Sequence, residues 1–301
     1  MENIIHEIES SRLDALLQFF PKGAVAIDLE TTGLSPITDR IIEVAAVKVT
    51  HDTKVATFSE LINPGSPISK ESIVFHGITD NDVANSRSVQ EVLPDFVEFL
   101  EDMPIIAHNA KFDLGFVLFS LHKNKLPIPK SDVYCSCLLS RKAFAEFDSH
   151  KLSSLVEQLS INLENHHRAL DDSYACLEVF CESLKKISSQ KTLKKAYLFH
   201  TRDFSKDKVF ELPERLTPII TKIKQAHILD IQYAGGSYKN EFRPVKPISF
   251  LPLPGGMVLY AHCLKSDLFK SFAVKKIKDF KELTALEIRD RLSLVDQSKK
   301  N

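Results

Sequence analysis

At 301 residues, 44% of them hydrophobic and 20 of them Phe, the chain can build two compact domains with separate cores. No run of eighteen uncharged apolar residues occurs, so the sequence offers no membrane span. The net charge of −1 conceals a division: residues 1–184 carry 15 Lys and Arg against 28 Asp and Glu, whereas 185–301 carry 24 against 12. Such asymmetry between halves points to nucleic acid as a partner. The start, MENIIHEIES, lacks the basic and then apolar pattern of a signal peptide. Five cysteines complete no zinc set with a second pair at familiar spacing, which fits reduced thiols in a cytoplasmic protein.

In chain order, residues 5–20 are predicted as a short amphipathic helix, and Ala24–Ile27 as a buried strand broken by Thr31-Thr32-Gly33. Strands follow at Ile41–Val49 and Thr57–Ile62. Thr79 opens a helical region to about Asp102, with Val89, Val92, Leu93, Phe96 and Leu100 at helical spacing. Pro104–Ala107 is predicted as a strand, and Lys111–His122, Lys151–Leu159 and Ala169–Ile187 as helices. Strands first, then alternating helix and strand, give an α/β domain with a mixed sheet over residues 1–185. Residues 186–212 turn Lys- and Ser-rich and are predicted as a basic linker. Residues 213–301 begin with a helix leading into Ile228–Tyr233, then strands at Phe242–Val245, Ile248–Leu251, Met257–Cys263 and Phe272–Ile277, punctuated by Gly-Gly turns. Short strands with hairpin turns imply a small β-barrel or sandwich.

Asp28 and Glu30 lie two apart on the first strand, so the period of two puts both carboxylates on one face. Adjacent buried anions are costly unless a cation neutralises them, and oxygen-only ligands favour Mg²⁺ or Mn²⁺. Taken alone, the pair fits equally a strand that frays at Asp28 and leaves both side chains wet. Asp113, where a strand turns into a helix, and Asp172, on the last helix of the domain, add two carboxylates that are candidates for convergence on a metal pair.

The segments Asp28-Leu29-Glu30-Thr31-Thr32-Gly33-Leu34, His108-Asn109-Ala110-Lys111-Phe112-Asp113 and His167-Arg168-Ala169-Leu170-Asp171-Asp172 resemble, in order, the three motifs of the DEDDh superfamily of 3′→5′ exonucleases. The likeness is greatest to the group of the epsilon proofreading subunit of DNA polymerase III, and it covers about residues 22–185. The resemblance implies an RNase H-like α/β fold and phosphodiester hydrolysis with two divalent metal ions. Asp28, Glu30, Asp113 and Asp172 would be the metal ligands, and His167 the general base. His166 and Asp171 share the five-residue spacing of His167 and Asp172; the Arg-Ala after His167 favours the second pair in the family pattern. Thr31, Thr32 and Leu34 stand where the family contacts the 3′-terminal nucleotide, with His76 and Asn109 as weaker matches. Glu43, inside a core strand, either faces the nucleotide pocket or is explained by an edge or end position.

The segments around Leu229–Tyr233, Phe242–Lys246, Tyr260–Cys263 and Phe272–Ile277 resemble a WYL domain, an SH3-like small β-barrel, with Met257-Val258-Leu259 replacing the naming triplet and lysines where arginines are usual. Tyr233, Arg243, Lys270 and Lys276 would be its ligand-facing set, an aromatic for stacking among cations for phosphates. Together these readings predict a Mg²⁺- or Mn²⁺-dependent 3′→5′ exonuclease of DNA, in proofreading or repair, with a basic nucleic-acid-binding part. DNA polymerase subunits are candidate partners. Two alternatives share the motifs: an exoribonuclease trimming RNA or short oligonucleotides, and a ligand-sensing regulator that keeps the nuclease domain as a scaffold.

Overall fold

The computed structural model describes residues 8–162, 168–187, 189–204, 210–236, 238–284 and 286–289. The chain divides into two compact units, residues 1–33 with 39–206 and residues 34–38 with 207–301.

In the first unit, α1 (Ser10–Phe19) precedes a meander of β1 (Gly23–Thr31), β2 (Ile41–Thr50) and β3 (Val55–Leu61). Then come α2 (Lys70–His76), α3 (Asp80–Val83), α4 (Val89–Leu100), β4 (Ile105–Ala107), α5 (Lys111–Lys123), β5 (Asp132–Cys135), α6 (Ser136–Ala143), α7 (Leu152–Gln158), α8 (Ala169–Lys186), α9 (Gln190–Leu193) and β6 (Tyr197–His200). The six strands form one mixed sheet in the order β3-β2-β1-β4-β5-β6, in which the β1–β4 and β4–β5 pairings are parallel and the other pairings antiparallel. β1 sits inside this sheet and is buried almost end to end, which explains its unbroken apolar run before Asp28. β3, at the edge, is mostly exposed. The core joins Leu16, Ala24, Ala26, Val47, Ile106, Leu177 and Phe180, so α8 closes over β1 and β2.

Several elements differ from the sequence expectation. The helical region predicted from Thr79 to Asp102 is two helices. A capping box at Ser88, whose hydroxyl and backbone N–H both donate to Glu91, starts α4 anew. The segment 186–212, predicted as a linker, supplies α9 and the strand β6, which pairs antiparallel with β5. Leu193 and Ala196 are buried in the main core, so apolar anchors lie among the lysines. The first-helix prediction from residue 5 falls partly outside the described residues, which begin at 8.

The second unit has α10 (Pro218–Lys224) and the strands β7 (Leu229–Tyr233), β8 (Phe242–Leu253), β9 (Gly256–Cys263), β10 (Leu268–Ala273) and β11 (Ile277–Glu282). All are antiparallel, in the order β10-β9-β8-β7-β11, around a core of Leu229, Ile231, Val245, Phe250, Leu259 and Phe272. β8 is one strand where two were expected, over Phe242–Val245 and Ile248–Leu251; its register shifts between Pro247 and Ser249, which accommodates a residue without an N–H. The strand predicted over Phe272–Ile277 is broken by a 3₁₀ turn at Val274–Lys276, and this turn sends β10 and β11 to opposite edges. Among the described residues these edges do not pair, so the expected barrel is an open five-stranded sheet.

Candidate active site

Asp28 and Glu30 project from the end of β1 where the ladder with β2 changes register, between Glu30 and Thr31. A bulge at this point re-aims side chains next to the site. Beyond it, the Thr32 N–H donates to the Arg40 carbonyl at 2.9 Å, the Arg40 N–H donates to Thr32 Oγ1 at 2.9 Å, and Thr31 Oγ1 donates to the Gly33 carbonyl at 2.6 Å. Gly33 has a steric reason to be glycine: a Cβ there would stand 2.6 Å from the Asp39 carboxylate.

Asp113 enters from the first turn of α5. Asn109, between β4 and α5, takes a left-handed backbone with φ of 60°, which asparagine tolerates better than most residues, and its carbonyl accepts from the Phe112 N–H at 2.9 Å. The turn delivers Asp113 into the interior, where it is 3% exposed and its Oδ2 has no hydrogen-bond partner among the described residues. Asp172 lies in the first turn of α8. Ser173 fixes that turn to β2, its hydroxyl donating to the Ala169 carbonyl at 2.7 Å and lying 3.4 Å from the Ala45 carbonyl.

Carboxylate oxygens of Asp28, Glu30 and Asp172 lie within 4.8 Å of one another, and this trio is the metal-capable group among the described residues. Asp171, one position earlier, is not in it. Burial first, then the neighbouring carboxylates, pushes the acids up: Glu30 to about 8, and Asp28 well above its ordinary value with Asp113 as the foremost charged neighbour. Asp113 also rises to about 8, through burial, with Asp172 adding to it. Such a cluster holds protons at neutral pH unless cations replace them, and its all-oxygen donors and unpartnered Asp113 Oδ2 fit divalent metal ions. Cys135 and Cys137 do not suit that role. Burial pushes both thiols up, Cys135 to about 11, and all five cysteines are free.

Two features around the acids escaped the sequence reading. Ser72, on α2, donates to the Thr32 carbonyl at 2.8 Å and ties that helix to the strand end carrying Asp28. Glu43, on β2, is directly cross-strand from Glu30 and 1% exposed, and Arg168 grips it: Nη2 to Oε1 is 2.7 Å, and Nε lies 3.1 and 3.3 Å from the two oxygens. The signal was present as a glutamate in a core strand, but its partner is 125 residues away.

His76 ends α2, is buried, and accepts the Ile78 N–H on Nδ1 at 3.0 Å. Leu34 is half exposed, in the segment 34–38. His166 and His167 lie outside the described residues. In the second unit the structure brings Tyr233 and Arg243 together, the guanidinium 5.7 Å from the ring, on the core side of the sheet. Arg243 is 2% exposed and donates through Nη2 to the carbonyls of Tyr238 at 2.6 Å and Gly235 at 3.4 Å, pinning its own hairpin loop. The Tyr233 hydroxyl accepts the Ala273 N–H, and its ring meets Phe272 edge-on at 5.1 Å. Lys270 is half-buried and Lys276 exposed.

The sequence profile of the exonuclease family RNase_T matches residues 25–180, just over half of the chain and the whole span of the acidic cluster. The chain belongs to that exonuclease family. The chain is 39% identical over 189 residues to the PolC-type DNA polymerase III of Thermotoga maritima, a match covering 62% of this chain and 14% of that one. It is 36% identical over 166 residues to the PolC-type enzyme of Streptococcus pneumoniae D39, covering 55% and 11%. The matched region thus takes in about one seventh or less of these relatives' length. Among solved structures the chain is similar to Exonuclease X in complex with 5′ overhanging duplex DNA, at 25% identity and a TM-score of 0.46, over 57% of this chain and 99% of that one. No described helix is long and apolar enough to cross a membrane.

Proposed function

We propose that this exonuclease removes nucleotides from the 3′ ends of DNA, in proofreading or repair, and that Asp28, Glu30, Asp113, His167 and Asp172 carry the reaction. The observation behind this reading is the meeting of Asp28, Glu30 and Asp172 within 4.8 Å, beside an Asp113 oxygen buried without a partner. The four carboxylates would hold two divalent ions, Mg²⁺ or Mn²⁺, which when bound lower the pKa of the attacking water and neutralise charge on the attacking and leaving oxygens. His167, one residue before Arg168, would take the proton from that water; an imidazole with an ordinary pKa near 6.5 is suited to do so at neutral pH. Thr31, Thr32, Leu34, His76 and Asn109 would orient the 3′-terminal nucleotide. Ser72 favours this grouping by holding α2, with His76 at its end, against Thr32.

DNA is favoured over RNA by the relatives, which are DNA polymerases, and a polymerase is for the same reason the candidate partner. The net positive charge of 185–301, including Lys270 and Lys276, supports a nucleic-acid-binding role for the second unit. The antiparallel order of its five strands is what supports its WYL-like reading. The first unit as the catalytic part and the second as the binding part complete the proposal.

The test is degradation of matched 5′-labelled DNA and RNA in single-stranded, duplex and 3′-mismatched forms at one salt concentration. DNA should shorten from the 3′ end with Mg²⁺ or Mn²⁺, and Asp28→Ala should abolish it while the fold persists. Faster cleavage of RNA makes the chain an exoribonuclease. No cleavage of either leaves the scaffold reading.

A further inference from the structure

Glu43 makes five acids in one small region, and charge alone argues against it. It faces Glu30 across the β1–β2 ladder and is almost fully buried, an arrangement that repels. Its role follows from where its oxygens go. Oε1 accepts from Arg168 Nη2 at 2.7 Å and Nε at 3.1 Å, and Oε2 accepts the backbone N–H of Ala169 at 3.0 Å. Ala169 is the first residue of α8, so Glu43 supplies from a distant strand the acceptor that a helix start needs. Arg168 immediately precedes α8 and Asp172 follows one turn later, its N–H bonded to the Arg168 carbonyl at 3.0 Å. Both Glu43 oxygens are therefore committed to the entry of α8, and Glu43 is not in the metal-capable trio.

We propose that Glu43 and Arg168 are positioning residues. Together they form a charge-neutral strut that clamps the first turn of α8 to β2 and so sets the Asp172 carboxylate against Asp28 and Glu30. The pairing puts a rigid bidentate contact where a metal-binding acid must be held to a fraction of an ångström. Arg168 cancels the charge that Glu43 brings, so the strut adds no competing anion. The inference rests on the metal-site reading above but not on the identity of the nucleic acid.

The test compares the full chain with Glu43→Ala, Glu43→Gln and Arg168→Lys, by Mn²⁺ binding in a titration calorimeter and by nuclease rate against Mn²⁺ and oligonucleotide concentration. Groups that orient metal ligands are worth roughly 10–100-fold in metal affinity or activity. Glu43→Ala should therefore weaken Mn²⁺ binding and lower kcat on the order of tenfold or more, with KM for the oligonucleotide unchanged. Glu43→Gln keeps an acceptor for the Ala169 N–H, and Arg168→Lys keeps the charge but not the fork, so both should fall between. If Glu43→Ala does not fold, these two carry the comparison. Wild-type Mn²⁺ affinity and kcat in the variants would overturn the proposal. So would a rise in oligonucleotide KM alone, which would make Glu43 part of the nucleotide pocket. A wild-type chain whose Mn²⁺ affinity falls in Glu43→Ala yet which cleaves nothing would instead refute the nuclease reading.

Discussion

Replacing Glu30 by Gln should stabilise the metal-free protein while destroying its activity, and the effect should grow with pH. Burial and the neighbouring carboxylates raise Glu30 from 4.5 to about 8. In the unfolded chain the same carboxyl releases its proton near 4.5, so between the two values the folded chain binds a proton that the unfolded chain does not. Stability from this group is fully present below about 4.5 and is lost as pH rises through about 8, at roughly 1.4 kcal/mol per pH unit. Across the whole window this corresponds to roughly 5 kcal/mol. The effective dielectric inside real proteins, well above that of a dry interior, reduces this to on the order of 2–3 kcal/mol. Urea denaturation in EDTA at several pH values between 5 and 8.5 measures it. The wild type should weaken steadily as pH rises, Glu30→Gln should weaken less, and saturating Mn²⁺ should restore the wild type but not the variant. A wild-type stability that stays flat or climbs over this range would refute the electrostatic account, as would an equal slope in Glu30→Gln.

Other predictions concern parts away from the acids. Arg12 pairs with Glu178 and, at 2.7 Å, with Glu182, tying α1 to α8; Arg12→Ala leaves Glu178 buried without its cation and should cost about 3–5 kcal/mol in thermal or chemical unfolding. Reversing two surface charges with Lys270→Glu and Lys276→Glu should weaken DNA binding in fluorescence anisotropy and lower the slope of log affinity against log salt by about one to two, with kcat preserved. An unchanged salt slope would remove those lysines from the nucleic-acid contact.

The strand-borne part of the site was legible because its information is local. Asp28 and Glu30 interrupt an apolar run two residues apart, and strand geometry alone puts them together. The helix carrying Asp172 was visible from its periodicity, and the Arg168-Ala169 that distinguishes Asp172 from Asp171 sits beside it in the sequence. What stayed hidden depends on partners far along the chain. Glu43 looked equally like a pocket residue or a strand-end acid until Arg168 arrived from 125 residues away. Asp132–Cys135 is too short to announce itself as a strand, and it is ordered by β4 on one side and β6 on the other. The WYL resemblance implies Tyr233 and Arg243 as ligand-facing residues, but pattern alone does not reveal which sheet face a core will cover. The structure puts both on the inner face, where the arginine satisfies carbonyls of its own hairpin.

The strand β6 changes how the protein can be divided for study. Charge and composition invite a cut at residue 185, just before the lysine-rich stretch, yet that stretch covers the open side of β5 and accepts the Cys135 N–H on the Ala196 carbonyl at 2.9 Å. A fragment ending at 185 would keep every proposed metal ligand and lose this cover. The bare ladder of Val133 and Cys135, both buried in the intact chain, would then be a template for pairing with a second copy. Such a fragment should precipitate or self-associate where one ending near 206 stays monodisperse, so an inactive short piece would report exposed strand edges, not faulty chemistry.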